Sequence, residues 1–94
     1  MLNVVICWHM HQPDYRHKGE YLKPWTWLHA IKDYSDMAAH LEAIPQARAV
    51  VNFSPVLILQ LQDYAQRIKA LVQKDIPARD AILDALQDSR PQGL

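Results

Sequence analysis

The chain has 94 residues, of which 50% are hydrophobic and 21% are charged. This balance is typical of a folded domain rather than of a disordered chain, and the length fits one small domain or part of a larger one. Ten basic and ten acidic residues cancel, and neither sign forms a run. A patch that binds nucleic acid or an anionic membrane is therefore not expected, and a neutral ligand is favoured.

The single cysteine, Cys7, lies in an apolar run and excludes a disulfide framework within the chain. This favours a reducing compartment. The apolar stretch at residues 2–8 lacks the basic region and the small-residue cleavage site of a secretory leader, and it is too short to span a bilayer. We therefore expect a cytoplasmic protein without a membrane partner.

Residues 2–10 are rich in β-branched and aromatic side chains, which predicts a buried strand at the start of the chain. Along a strand, every second side chain lies on the same face. His9 and His11 are therefore expected to point the same way, together with Val5 and Cys7. The other face is expected to carry Leu2, Val4, Ile6 and Trp8.

A proline and an aspartate at positions 13 and 14 end this strand, and a long polar loop is expected to run to about residue 23. From Trp25 the apolar residues recur at helical spacing and predict an amphipathic helix, with Thr26 as a candidate N-cap and Pro45 closing the segment. Its expected apolar face consists of Leu28, Ile31, Ala38 and Leu41.

A second strand is predicted over residues 47–53. Ser54 as N-cap and Pro55 at the first helical position predict that a helix starts directly after it. The apolar stripe of this helix is Leu57, Leu61, Tyr64, Ile68 and Leu71.

A third helix is predicted to begin near Pro77 and to end at Pro91 and Gly93. Its expected buried residues are Ile82, Leu83 and Leu86.

The order of strand, helix, strand, helix, helix, with both strands continuously apolar, predicts an α/β fold built from parallel β/α units. Two parallel strands alone make a marginal sheet, and parallel barrels take typically about 250 residues. The expected fold is therefore a partial parallel (β/α) barrel, with about two βα units plus an extra helix.

The sharpest local feature is the histidine pair at the end of the first predicted strand. In parallel β/α folds, ligands bind at the carboxyl ends of the strands. Imidazoles at His9 and His11 can bind sugar hydroxyls, act in acid/base steps or hold a metal. Alternatively, both are structural histidines satisfied by their neighbours. A metal site would need further ligands from later strands, and no metal or cofactor is predicted from this chain.

Several other residues have a functional and a structural interpretation. Trp25 and Trp27 could stack on sugar rings, or they could fix the helix entry to the core. His29 and Asp33 could reach a site, although a helix surface also explains them. Asn52 interrupts an apolar strand, and it either lines the same cleft as His11 or forms a turn.

Cleavage of a glycosidic bond generally needs two positioned carboxylates. The two glutamates, Glu20 and Glu42, do not lie at the end of a predicted strand. The sequence therefore offers no convincing pair of nucleophile and acid.

Three blocks of this sequence resemble glycoside hydrolase family 57. Residues 5–13 (VICWHMHQP) are similar to the first conserved region of the family, in which a His-Gln-Pro tripeptide follows the first barrel strand. Residues 27–37 (WLHAIKDYSDM) resemble the segment that follows. Residues 51–57 (VNFSPVL) and 60–64 (QLQDY) resemble the second strand and helix. His-Gln-Pro alone would be weak, but the ordered blocks together are specific.

The resemblance implies an incomplete seven-stranded (β/α) barrel that acts on α-glucans as an α-amylase, amylopullulanase, glucanotransferase or branching enzyme. It also implies a retaining mechanism with a glutamate nucleophile and an aspartate acid/base, both in later conserved regions. From the first region, His11 and Gln12 carry over as sugar-binding residues, with Pro13. Strand geometry adds His9 to this set.

The resulting hypothesis is that residues 1–94 form the N-terminal segment of such a barrel, inactive alone. The remainder of the barrel would be its partner, and His9, His11, Gln12, Trp25 and Asn52 would bind an oligo- or polysaccharide. Two alternatives remain open. One is a stand-alone domain that binds a small carbohydrate or a partner, and the other is a fragment of a metal-dependent hydrolase that uses the histidine pair.

Overall fold

The structure is a computed structural model that describes residues 2–88, and it has a mixed α/β fold with a small parallel sheet and several helices. In chain order the strands are β1 (Cys7–Met10), β2 (Arg16–His17), β3 (Glu20–Tyr21) and β4 (Val50–Phe53). The α-helices are α1 (Trp25–His29), α2 (Ser35–Ala43), α3 (Pro55–Lys74) and α4 (Ala81–Asp88), and a π-helical segment, Ala30–Tyr34, joins α1 to α2.

The predicted parallel pairing of the two apolar strands is confirmed. β1 and β4 pair in parallel, and His9 lies opposite Asn52. The backbone N–H of Ser54 donates to the carbonyl of Met10 at 3.0 Å and continues the pairing one step past the strands. The predicted strands over 2–10 and 47–53 were both too long. The pairing begins only at the hydrogen bond from the Val50 N–H to the Ile6 carbonyl, so that β1 starts at Cys7 and β4 at Val50.

The expectation that these strands are buried is wrong for most of their side chains. Leu2 is 87% exposed, Val5 80% and Val50 55%, whereas Met10 is buried. The reason is that the helices pack mainly against each other, so most of the sheet surface stays uncovered. An open groove lies beside this apolar surface, at the amino ends of the strands, between residues 4–6 and 48–50.

The polar loop predicted over residues 12–23 contains a short antiparallel hairpin formed by β2 and β3. Its turn residues, Lys18 and Gly19, both have positive φ values, 50° and 80°. A two-residue hairpin turn needs such values, and glycine adopts them without steric cost. The hairpin is held to the segment that precedes α4, since the Tyr21 N–H donates to the carbonyl of Arg79 at 3.0 Å.

The single helix predicted from Trp25 to about residue 44 is instead three segments, α1, the π-helical segment and α2. Thr26 is not the N-cap, because Pro24 occupies that position and Thr26 lies buried inside α1. The expected apolar face is only partly used. Leu28 packs against the core, whereas Ile31 is 65% exposed. Ala38 is also exposed, and Leu41 is half-buried.

The predicted helix start at Ser54 is confirmed. The Ser54 hydroxyl accepts a hydrogen bond from the Leu57 N–H, and Pro55 stands at the start of α3. The predicted stripe also faces inward: Leu57, Tyr64 and Leu71 are buried, and Leu61 and Ile68 are half-buried. Among residues 2–88, no helix combines the length and apolar character that crossing a membrane requires.

The core is an aromatic cluster of Tyr21, Trp27 and Tyr64. The rings of Tyr21 and Tyr64 stack with centroids 3.9 Å apart, and their hydroxyls donate to Asp63 and Asp80. Burial, reinforced by these hydrogen bonds, raises the pKa of both phenols well above the ordinary value. The aromatic core is thus built by the hairpin, α1 and α3, and no residue of β1 or β4 belongs to it.

The third predicted helix forms as α4 but starts later, with Asp80 accepting hydrogen bonds from Ile82 N–H and Leu83 N–H. Only part of the predicted burial occurs. Leu83 packs against the core, whereas Ile82 is 44% and Leu86 57% exposed. The predicted end at Pro91 and Gly93 lies outside the described residues.

Candidate functional site

Two side-chain pairs lie side by side at the carboxyl ends of β1 and β4. The His9 Nδ1 is 2.8 Å from the Asn52 Oδ1, and the His11 Nδ1 is 2.7 Å from the Ser54 Oγ. The two imidazole rings are nearly parallel, at 14°, with centroids 6.0 Å apart. We call His9, His11, Asn52 and Ser54 the histidine site. The predicted common orientation of the two histidines is thus confirmed.

Parallel strand geometry explains why these four residues meet. Parallel strands run the same way, so their carboxyl ends lie at one edge of the sheet. The register sets Asn52 opposite His9, and two residues further along each strand the same spacing brings Ser54 to His11. The sequence placed Asn52 in the cleft of His11 or in a turn, and the structure places it on the strand beside His9.

The partners of the Nδ1 atoms decide what the rings can do. A carboxamide oxygen only accepts, so the proton of a neutral His9 lies on Nδ1 and its Nε2 is an acceptor. The Ser54 hydroxyl can accept or donate, so His11 can present either an acceptor or a donor at Nε2. Hydroxyl groups both donate and accept, and the site therefore has the chemistry that a sugar ligand needs.

Gln12 is held at both ends of its amide. Its Oε1 accepts from the Tyr15 hydroxyl at 2.7 Å, and its Nε2 donates to the Tyr34 hydroxyl at 3.1 Å. Gln12 is half-buried, unlike His9 and His11, which are exposed. Its role as a sugar ligand stays a prediction. The Gln12 Nε2 carries a second N–H besides the one bonded to Tyr34, and this N–H could donate to a sugar hydroxyl.

A buried glutamine supports the backbone of this loop. Gln60, with 0% exposure, donates from Nε2 to the carbonyl of Pro13 at 2.7 Å, and its Oε1 accepts from the Thr26 hydroxyl at 3.0 Å and more weakly from Tyr15 N–H at 3.4 Å. The sequence interpretation missed this residue. The signal was present, because a glutamine lies among the apolar positions of the α3 stripe, where burial requires partners.

The two tryptophans differ. Trp25 is 47% exposed, whereas Trp27 is 8% exposed and belongs to the aromatic core. The Nε1 of Trp27 has no hydrogen-bond partner among the described residues. Of the two rings, Trp25 is therefore the one available to a ligand, but no hydrogen bond or ring contact within residues 2–88 joins it to the histidines. Its place in the site stays a prediction.

His29 and Asp33 bind each other on the helix surface, one turn apart. The His29 ring also lies 6.1 Å from the ring of Tyr34, the residue that holds Gln12. They are thus adjacent to the support of the site rather than part of it.

Among residues 2–88, no hydrogen bond or ion pair joins an aspartate, glutamate, lysine or arginine side chain to the histidine site. Glu20 pairs with Arg79 at 3.2 Å, and Asp14 binds Arg16 through two bonds of 2.9 Å, which lower the pKa of the Asp14 carboxyl. Within residues 2–88, no three histidine, cysteine, aspartate or glutamate side chains are grouped so that they could hold a metal ion.

The model of the family described as glycosyl hydrolase family 57 matches residues 5–87. The matched range contains both strands of the parallel sheet, the histidine site and Gln60. No curated protein and no solved structure matches the chain significantly. Because the family match covers well over half of the chain, the chain belongs to glycosyl hydrolase family 57.

Proposed function

We propose that residues 1–94 form the N-terminal segment of the catalytic barrel of an α-glucan hydrolase or glucanotransferase, and that the histidine site contacts the sugar. The observation that carries the proposal is the double pairing of His9 with Asn52 and of His11 with Ser54 at the carboxyl edge of a parallel sheet. Gln12 and Trp25 complete the proposed sugar-binding set.

The chemistry of the complete enzyme is proposed to be a retaining reaction with a glutamate nucleophile and an aspartate acid/base. No carboxylate among residues 2–88 is hydrogen-bonded to His9 or His11. This supports the proposal that the two catalytic carboxylates come from elsewhere and that the 94-residue chain alone does not cleave glucans. A cytoplasmic location is proposed as well, which the exposed free thiol of Cys7 supports.

Binding of sugar is tested by titrating the ¹⁵N-labelled 94-residue chain with maltohexaose and following its NMR signals. We expect shifts at His9, His11 and Asn52, and we expect His11→Ala to abolish them. His17→Ala is the matched control, because His17 is an exposed histidine in the hairpin. A parallel titration with cellohexaose, in which the glucose units are β-linked, tests whether the site prefers α-linked glucose. Unchanged signals at the histidine site, or an equal loss of binding with His17→Ala, would remove the proposal.

The remainder of the barrel is the proposed macromolecular partner. The uncovered apolar side chains of β1, β4 and the residues before β1 support this, since a two-stranded sheet with such exposure is marginal in water. We expect the isolated chain to bind a hydrophobic dye and to self-associate in sedimentation experiments.

A stand-alone binding domain is the second candidate. The aromatic core between α3, the hairpin and α1 favours it, because this core does not use the sheet. Both candidates predict binding of maltohexaose, so the unfolding behaviour separates them: cooperative unfolding of a monomer that binds no hydrophobic dye would support this candidate over the barrel segment.

A further inference from the structure

The loop after β1, which contains His11 and Gln12, is held by a side chain that lies far away in the sequence. Gln60 on α3 donates from Nε2 to the Pro13 carbonyl at 2.7 Å, with longer contacts to the carbonyls of Gln12 at 3.4 Å and Val56 at 3.3 Å. A buried amide that binds the backbone directly after a ligand-binding residue fixes the direction in which that residue leaves the strand.

The other end of the Gln60 amide is fixed as well. Its Oε1 accepts from the Thr26 hydroxyl at 3.0 Å, and Thr26 is 0% exposed. Because the Thr26 hydroxyl binds the oxygen of the Gln60 amide, the amide nitrogen is the end that faces the two loop carbonyls. Gln60 thereby connects three segments: α3, the first turn of α1 and the loop after β1.

A structural role alone would be met by an apolar side chain of similar volume, which fills the same space without needing partners. The stripe of α3 uses such side chains at Leu57 and Leu61 on either side of Gln60. The side-chain amide of Gln60 instead binds the carbonyls of residues 12 and 13. These partners indicate that the polar side chain serves the loop rather than general packing.

We propose that Gln60 is a positioning residue, which orients His11 and Gln12 toward the sugar by holding the Gln12–Pro13 backbone. The proposal rests on the proposed function for its ligand, but the positioning itself is a property of the chain without ligand. Because Gln60 is fully buried, it acts on the sugar through the loop and not by direct contact.

The test compares Gln60→Leu with Gln62→Leu in the ¹⁵N-labelled 94-residue chain. Gln62 is an exposed glutamine two residues along the same helix, so the chemical change is matched. Two readouts are followed: the signals of the His11 ring and the Gln12 side-chain amide without ligand, and the dissociation constant for maltohexaose. Tyr64→Phe, a core change about one turn further along α3 at a residue that does not bind the loop carbonyls, serves as the control for destabilisation alone.

With Gln60→Leu, we expect the His11 and Gln12 signals to move and the affinity to fall by about tenfold or more, as when a buried polar group loses its partner. Gln62→Leu and Tyr64→Phe should change neither. Unmoved His11 and Gln12 signals in a folded Gln60→Leu variant would overturn the proposal. If the wild type binds no maltohexaose, the proposed function fails, and the signals without ligand still decide the role of Gln60.

Gln60→Glu keeps the experiment decisive if Gln60→Leu does not fold. The introduced carboxyl can donate to the Pro13 carbonyl only while protonated, and burial favours the protonated form. The ratio of variant to wild-type dissociation constants should therefore be near one at pH 5 and rise by about tenfold at pH 8. A ratio that stays at one over this range, with unmoved His11 and Gln12 signals, would refute the positioning role.

Discussion

Replacing Tyr64 by phenylalanine removes one hydroxyl from the centre of the aromatic core and leaves the ring in place. The hydroxyl donates to the Asp80 Oδ2 at 2.6 Å, and both residues are only 2% exposed. Asp80 Oδ1 keeps its bonds to the first N–H groups of α4. The change therefore isolates one buried hydrogen bond to a carboxylate.

The expected loss in the free energy of unfolding is that of this single hydrogen bond. A hydrogen bond to a charged group contributes about 1.5–3 kcal/mol to stability. The ring stack on Tyr21, with centroids 3.9 Å apart, is retained, so no cavity term adds to this. With a urea m-value of about 1 kcal/mol/M for a small domain, the unfolding midpoint of Tyr64→Phe should fall by about 1.5–3 M at pH 7.

The matched control is Tyr15→Phe, which removes a hydroxyl that donates at 2.7 Å to the neutral, half-buried Gln12 side chain. A neutral hydrogen bond contributes only about 0.5–1.5 kcal/mol. Both variants are measured by circular dichroism in urea. The reasoning is refuted if Tyr64→Phe lowers the midpoint no further than Tyr15→Phe, or if its effect is undiminished in an Asp80→Asn background.

Two further predictions concern pH and the histidine site. Because burial raises the pKa of Tyr21 and Tyr64 in the folded chain, the stabilisation is complete below the unfolded value of about 10 and is lost as pH rises above it. Urea midpoints should thus fall from about pH 10 upward, less steeply in Tyr64→Phe, and a flat profile would contradict the assignment. Ser54→Ala removes the cap of α3 and the partner of His11, so it should cost about 1 kcal/mol in urea unfolding and shift the ¹⁵N signals of the His11 ring. An unmoved His11 ring signal would contradict the pairing.

Local features of the chain were readable from the sequence because their causes are local. The serine and proline at positions 54 and 55 predicted the start of α3, since a hydroxyl acceptor and a fixed φ act within one helical turn. Strand alternation predicted that His9 and His11 share a face for the same reason. The family resemblance was readable too, because it depends on ordered residue types.

Burial was the least predictable property. The residues at 2–10 and 47–53 have the composition of buried strands, yet most of their side chains are exposed. Composition indicates that a segment is suited to a buried position, but its side chains are buried only where another element packs over them. Conversely, Thr26 looked like a helix cap, although its hydroxyl is buried against Gln60.

The sequence by itself determined the order of the two parallel strands and the helices after them, the start of α3, the shared face of the two histidines and the family. Only the tertiary structure decided that Asn52 lies opposite His9, that Ser54 binds His11 and that Gln60 holds the Pro13 carbonyl. Each of these contacts joins residues more than forty positions apart. Local propensity and periodicity act over a few residues, whereas the register of two strands and the packing of α3 are set by the whole fold.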